Sequence, residues 1–74
     1  MLKIKDYIDM DWIIQKYNLI MAGHCDEQGV YLFYNDYLYI DIKSREIHIE
    51  RATNIEINIL YDLITAGLVE KVKE

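Results

Sequence analysis

Few side chains in this sequence are of a type and spacing suited to chemistry. The densest group is His24, Cys25, Asp26 and Glu27 in one predicted turn, with His48 expected nearby in a sheet. Zinc needs three or four convergent ligands at recognisable spacing, and the chain holds no CxxC, HExxH or HxxxH. The set therefore reads as a polar turn carrying a thiol, and no metal or other cofactor is expected. Cys25 beside His24 suggests an activated thiolate, but adjacent residues on a strand point to opposite faces, so their side chains diverge. Asp41 and Glu50 can share one sheet face across a hairpin, where two close carboxylates would raise one pKa and permit acid–base work. The competing reading is a solvated face whose acids are offset by Lys43, Arg45 or Arg51. The phosphate-cradling GxxxxGK[ST] and GxGxxG patterns and the nucleophile pattern GxSxG do not occur in the sequence. Enzymes also need a concavity of about 300 Å³ or more, a large demand on 74 residues. The chain reads as non-enzymatic. A small metal-dependent enzyme is the alternative, and metal bound to the purified protein would favour it.

The most informative excess is aromatic: seven tyrosines, one tryptophan and one phenylalanine. Alternation along the predicted strands puts Tyr31, Phe33 and Tyr39 on the sheet face opposite the main aliphatic set. Three readings compete. The first helix packs over that face and the rings form a second layer of core. Alternatively, the rings are a protein-binding patch, which Ile8 and Trp12 extend. Thirdly, they are a stacking platform for single-stranded nucleic acid, which Asp41, Glu46 and Glu50 on the same face oppose.

The elements that must position these residues follow from periodicity. Residues 6–18 predict a first helix, with Asp6 as N-cap and Asp9 and Asp11 near the positive end of its dipole. Tyr7, Met10, Ile13, Ile14 and Tyr17 fall on one arc of that helix and should face the core, leaving Ile8 and Trp12 one turn apart on the other side. Asn18 followed by Leu19 suits a left-handed cap. The period then shortens to two. Segments 19–24, 30–34, 37–42 and 46–51 predict four strands, and their short connections allow only hairpins, hence an antiparallel meander. Leu38, Ile40 and Ile42 share a face with Ile47 and Ile49, and Val30 and Leu32 can join them.

Thr53-Asn54-Ile55-Glu56 has the form of a capping box and Gly67-Leu68 that of a C-terminal cap, so 54–66 predicts a second helix. Its polar strip of Asn54, Asn58, Asp62 and Thr65 is narrow, and isoleucines and leucines occupy most of the remaining circumference. A helix lying on a sheet hides only one stripe, so either the first helix or a second copy of the chain must cover the rest. Segment 68–72 can add a short edge strand. The expected architecture is α+β in one domain spanning residues 1–74: helix, four-stranded antiparallel meander, helix and short tail.

Composition bounds the partners. Thirteen acidic against eight basic residues leave a net charge of −5, which opposes non-specific attraction to nucleic acid or anionic lipid. The basic residues are scattered and form no phosphate-tracking stripe. One cysteine closes no intrachain disulfide, so a reducing cytoplasm is the simplest expected location. The start, MLKIKDYIDM, has acids where a signal peptide needs an apolar centre, and the apolar streak 19–22 is too short to span a bilayer.

Thirteen isoleucines, seven tyrosines, no proline, and an alanine-glycine pair in each half accompany the ending YDLITAGLVEKVKE. In these features the chain resembles the small orphan proteins of phages and prophages of low-GC Gram-positive bacteria. That resemblance implies a class of work: binding and redirecting a host or phage protein or, for acidic members, imitating DNA to block a DNA-handling protein. Segment 59–72 also resembles the helix-then-wing stretch of winged-helix regulators. A recognition helix needs a polar or basic reading side, however, and 54–66 contains no lysine or arginine. The expected function is a protein-binding, regulatory module acting by occlusion, as a homodimer or docked on another protein. Ile8, Trp12, Tyr31, Phe33 and Tyr39 would be its contacts, and Asp9, Asp11, Asp41 and Glu50 would steer a basic partner.

Overall fold

The computed structural model describes residues 1–23 and 29–72. Its first and last strands pair with each other. Strand β1 (Leu2–Ile4) runs antiparallel to β6 (Val69–Lys71), with Leu2 opposite Lys71 and Ile4 opposite Val69. The tail thus forms the short strand expected of it, on a partner, residues 2–4, to which the periodicity assigns no element. This pair meets the main sheet through a single bridge, Lys3 to Glu46, and the bond from the Ile4 N–H to the Arg45 carbonyl (2.9 Å).

Helix α1 is Met10–Tyr17, four residues shorter at its start than the periodicity predicts. Its N-cap is Asp9 rather than Asp6, and the Asp9 carboxylate accepts from the Asp11 N–H at 3.0 Å. Competition for backbone acceptors explains the correction. The Arg45 guanidinium donates to the carbonyls of Lys5 (2.8 Å) and Ile8 (2.7 Å), and the Ile8 N–H closes a turn on Lys5. Asp6 is held instead by the Lys3 ammonium at 3.0 Å. Tyr7, expected on the core arc, consequently stands 78% exposed. The rest of the arc behaves as predicted: Ile13 is fully buried, and Met10, Ile14 and Tyr17 pack against the core. At the far end Asn18 takes φ of 54°, and the N–H groups of Asn18 and Leu19 both reach the Ile14 carbonyl, the left-handed cap read from the sequence.

Strands β2 (Ile20–Gly23), β3 (Val30–Phe33), β4 (Leu38–Asp41) and β5 (Ile47–Ile49) form an antiparallel sheet in that order, the predicted meander. Asparagine and aspartate shape its two tight turns. Asn35 Oδ1 accepts from the N–H groups of Tyr37 and Leu38, both at 2.8 Å, and Asp41 Oδ1 from those of Lys43 (2.8 Å) and Ser44 (3.2 Å). Arg45 completes the second turn at φ of 67°.

Helix α2 (Asn54–Thr65) opens on the capping box. The Glu56 carboxylate accepts from the Thr53 N–H (2.8 Å) and hydroxyl, and from the Asn35 side-chain amide at 2.7 Å. It is almost completely buried. Hydrogen bonds from Thr53, then Asn35, favour the charged form and hold its pKa below the ordinary carboxylate value. One residue therefore starts the helix and pins it to the β3–β4 turn. At the other end Gly67 adopts φ of 72°, and the N–H groups of Gly67 and Leu68 return to the carbonyls of Ile64 and Leu63.

Both helices lie on the same side of the sheet. Ile13 of α1 and Leu63 of α2 share one buried cluster with Leu32, Leu38, Ile40 and Ile47 from the aliphatic face, closed by Ile4, Leu19 and Leu68. The Tyr17 hydroxyl bonds the Asp62 carboxylate across the helix pair. Burial first, and this bond second, hold the Tyr17 phenol above its usual range. The reading in which α1 covers the aromatic face is thereby overturned. Only two residues, Asn18 and Leu19, join α1 to β2, and burial of Leu19 with the aliphatic set keeps the helix on that side. A chain of this length has apolar surface for one shared core, and two amphipathic stripes on one aliphatic face build it.

Candidate functional site

With both helices on the other side, no helix of the described residues covers the second face of the sheet. Strand register arranges its side chains in rows. Ile20, Phe33, Tyr39 and His48 lie opposite one another in turn across all four strands. A parallel row runs from Ala22 through Tyr31 to Asp41, beside Glu46 at the hairpin end. The rings contact one another closely. Phe33 and Tyr39 have centroids 5.2 Å apart, and Tyr31 stands edge-on to Tyr39 at 5.4 Å. Tyr39 stacks on His48 at 5.1 Å with planes 19° apart. Each of the four rings is half-buried, and mutual cover in a T-shaped and stacked cluster is one cause.

Acids border this platform. Glu50 accepts a hydrogen bond from the Tyr39 hydroxyl, and Asp41 and Glu46 flank the opposite end. The bond to Glu50, then burial, pushes the Tyr39 pKa up to about 12, because losing the phenolic proton would set two anions side by side. In alkaline titration followed by phenolate absorbance, the step that disappears in Tyr39→Phe is therefore expected near pH 12. Glu50→Gln should move that step down towards the ordinary value of 10.0. An unmoved step would mean that the Tyr39–Glu50 bond is not kept in solution.

The nine residues expected to contact or steer a partner divide between two sides of the molecule. Tyr31, Phe33, Tyr39, Asp41 and Glu50 share the sheet face opposite the helices. Ile8, Asp9, Asp11 and Trp12 lie on the helix side. Ile8 packs against the core, Asp9 is the N-cap, and Asp11 is exposed in the first turn. Trp12 is 46% exposed, with the Lys16 ammonium 5.5 Å from its ring centroid. Ile8 and Trp12 therefore do not extend the aromatic patch. Asp41 and Glu50 do not form a carboxylate pair either. Glu50 bonds the backbone of Tyr37, four residues from Asp41 on the neighbouring chain segment, a separation of roughly 13 Å along extended chain. The His24, Cys25, Asp26 and Glu27 set lies outside the described residues. Its expected companion His48 stacks on Tyr39, and no group of three or more metal-capable side chains occurs among the described residues.

Sequence reasoning put His48 on the aromatic face without counting it among the contacts, and it left out Ile20 as a member of the aromatic row, Asn35 as the partner of Glu56, and Arg45 as the clamp on the β1–α1 connection. Alternation does place His48 beside Tyr39. The other three depend on hairpin register and on contacts between distant segments, for which a single sequence carries no signal.

Comparison with protein-family models, curated proteins and solved structures finds no match for this chain. No helix of the described residues is long and apolar enough to cross a membrane.

Proposed function

We propose that this chain is a non-enzymatic protein-binding module that uses the open aromatic face of its sheet to occlude a basic segment of a partner protein. The observation that carries the reading is the contiguous ring cluster of Tyr31, Phe33, Tyr39 and His48 on a sheet face that no helix of the described residues covers, bordered by Asp41, Glu46 and Glu50. Rings already packed together lose little freedom on binding, and tyrosine is favoured at the energetic centre of interfaces. A lysine or arginine laid across them gains a cation–π contact and a carboxylate together. The same acids and the net charge of −5 oppose a nucleic-acid backbone. Work inside the cytoplasm, and descent from phage or prophage genes of low-GC Gram-positive bacteria, belong to this proposal, as does association of the chain with itself.

The test is spectroscopic. Titrating the isotope-labelled protein with a lysine- and arginine-rich peptide should shift resonances of Tyr31, Phe33, Tyr39 and His48. Phe33→Ala should weaken that binding at least about tenfold while the protein stays folded. Salt-steep binding of single-stranded DNA or RNA to the same face, with no response to the peptide, would overturn the reading.

A further inference from the structure

We propose that the basic segment this chain binds is an extended strand that pairs with the outer edge of β2 and lays alternate lysine or arginine side chains over the aromatic rows. The inference deepens, and rests on, the reading that the aromatic face holds a basic segment of a partner protein. Backbone direction identifies the edge. The Ile42 N–H bonds the Val30 carbonyl (3.1 Å) and the Tyr34 N–H bonds the Leu38 carbonyl (2.9 Å), so Val30, Leu32 and Tyr34 turn their backbone groups to β4. Tyr31 and Phe33 therefore turn theirs to Ala22 and Ile20. Met21 and Gly23 are left facing outward, each with one N–H and one carbonyl. Among the described residues no strand or side chain bonds these groups. All four residues of β2 are exposed, Ile20 at 69% and Met21 at 56%. Edge strands ordinarily carry a charge, a proline or a bulge that blocks further pairing. This one has no charge and no proline, and its register with β3 is unbroken.

Spacing and charge select the occupant. Outward N–H and carbonyl groups on alternate residues match an extended main chain. On a strand paired there, successive side chains alternate between faces. Every second one stands beside Ile20 or Ala22, at the end of rows that continue to Phe33 and Tyr31. Ala22 offers only a methyl group, so a long side chain beside it passes over β2 towards the ring cluster, two strand spacings or roughly 10 Å away. Ring faces attract a cation, Asp41, Glu46 and Glu50 border them, and the chain carries −5. The intervening side chains stand beside Met21, where an apolar group suits. The partner strand therefore alternates basic with apolar residues. A second copy of β2 would bring no basic residue and a further net charge of −5 to the same place.

Three versions of an alternating lysine–valine peptide of about eight residues, each titrated into the isotope-labelled wild type, test this. The parent peptide should shift resonances of Phe33 and Tyr39 and slow hydrogen exchange at the Met21 and Gly23 amides at least about tenfold. Methylating its backbone nitrogens only at the valines, or only at the lysines, leaves the charge unchanged and removes the N–H groups of one edge. One methylated version should bind at least about tenfold more weakly, and the other within about twofold of the parent. Ring shifts without protection of Met21 and Gly23, or equal losses from both methylations, overturn the strand pairing and leave the aromatic-face reading intact. So does binding of a lysine- and arginine-rich peptide that lacks the alternation when the parent peptide does not bind. Silence from both peptides overturns the two readings together. Protection of Met21 and Gly23 in concentrated protein alone, lost on dilution, would give the edge to a second copy and overturn the proposal.

Discussion

Replacing Leu63 by alanine is expected to lower stability by about 2 to 5 kcal/mol. Leu63 is 1% exposed at the point where α2, α1 and the sheet meet, within the cluster of Ile13, Leu32, Leu38, Ile40 and Ile47. Its backbone carbonyl also receives the Leu68 N–H that closes the helix cap. The substitution removes three buried carbon atoms and leaves a cavity that three elements border, so no single one of them can relax into it. A domain of this size has roughly 4 to 11 kcal/mol of stability in total, and the variant should be substantially unfolded at the low end of that range. Urea denaturation followed by circular dichroism measures the loss. A change below about 1 kcal/mol would mean that α2 is not seated on this core.

The second large effect is expected at Arg45. Arg45→Ala removes the donor shared by the Lys5 and Ile8 carbonyls. Hydrogen bonds to charged groups contribute about 1.5 to 3 kcal/mol each, and partial exposure discounts the pair, so a loss of about 2 to 4 kcal/mol is expected. Arg45→Gly separates side chain from backbone, because φ of 67° strains any residue with a Cβ and glycine relieves it. Glycine should recover about 1 kcal/mol relative to alanine. Lysine should not substitute fully, since one ammonium lacks the planar fork of the guanidinium. Hydrogen exchange should then quicken first at the amides of Ile4 and Ile8, which bond the Arg45 and Lys5 carbonyls. An alanine variant as stable as the wild type would show that the start of α1 is set by Asp9 alone.

The Arg45 clamp also marks where local reasoning stops. Asp6 as a possible N-cap, with Asp9 and Asp11 after it and apolar residues at helical spacing, predicts a helix from residue 6, and an isolated peptide would have no reason to start later. The start moves to Met10 because an arginine some forty positions away takes the carbonyls involved. The same holds for Glu56: its place in the capping box was legible, while its burial under the Asn35 amide was not. Of the proposed aromatic site, alternation was enough to put Tyr31, Phe33 and Tyr39 on one face. The addition of Ile20 needed the register of the β2–β3 pairing.

What the sequence determined by itself were properties decided within a few residues. Helix caps at Asn18, Thr53 and Gly67, the hairpin turns and the alternation of strand faces all follow from backbone sterics and side-chain-to-backbone bonds, which act over one to five positions. Tertiary structure alone decided which sheet face the two helices share, and hence that neither α1 nor α2 covers the aromatic face and that Trp12 is removed from it. Either face offered α1 apolar surface to cover. The choice was made by a single shared core, into which Leu19, Ile13 and Leu63 must all be buried at once.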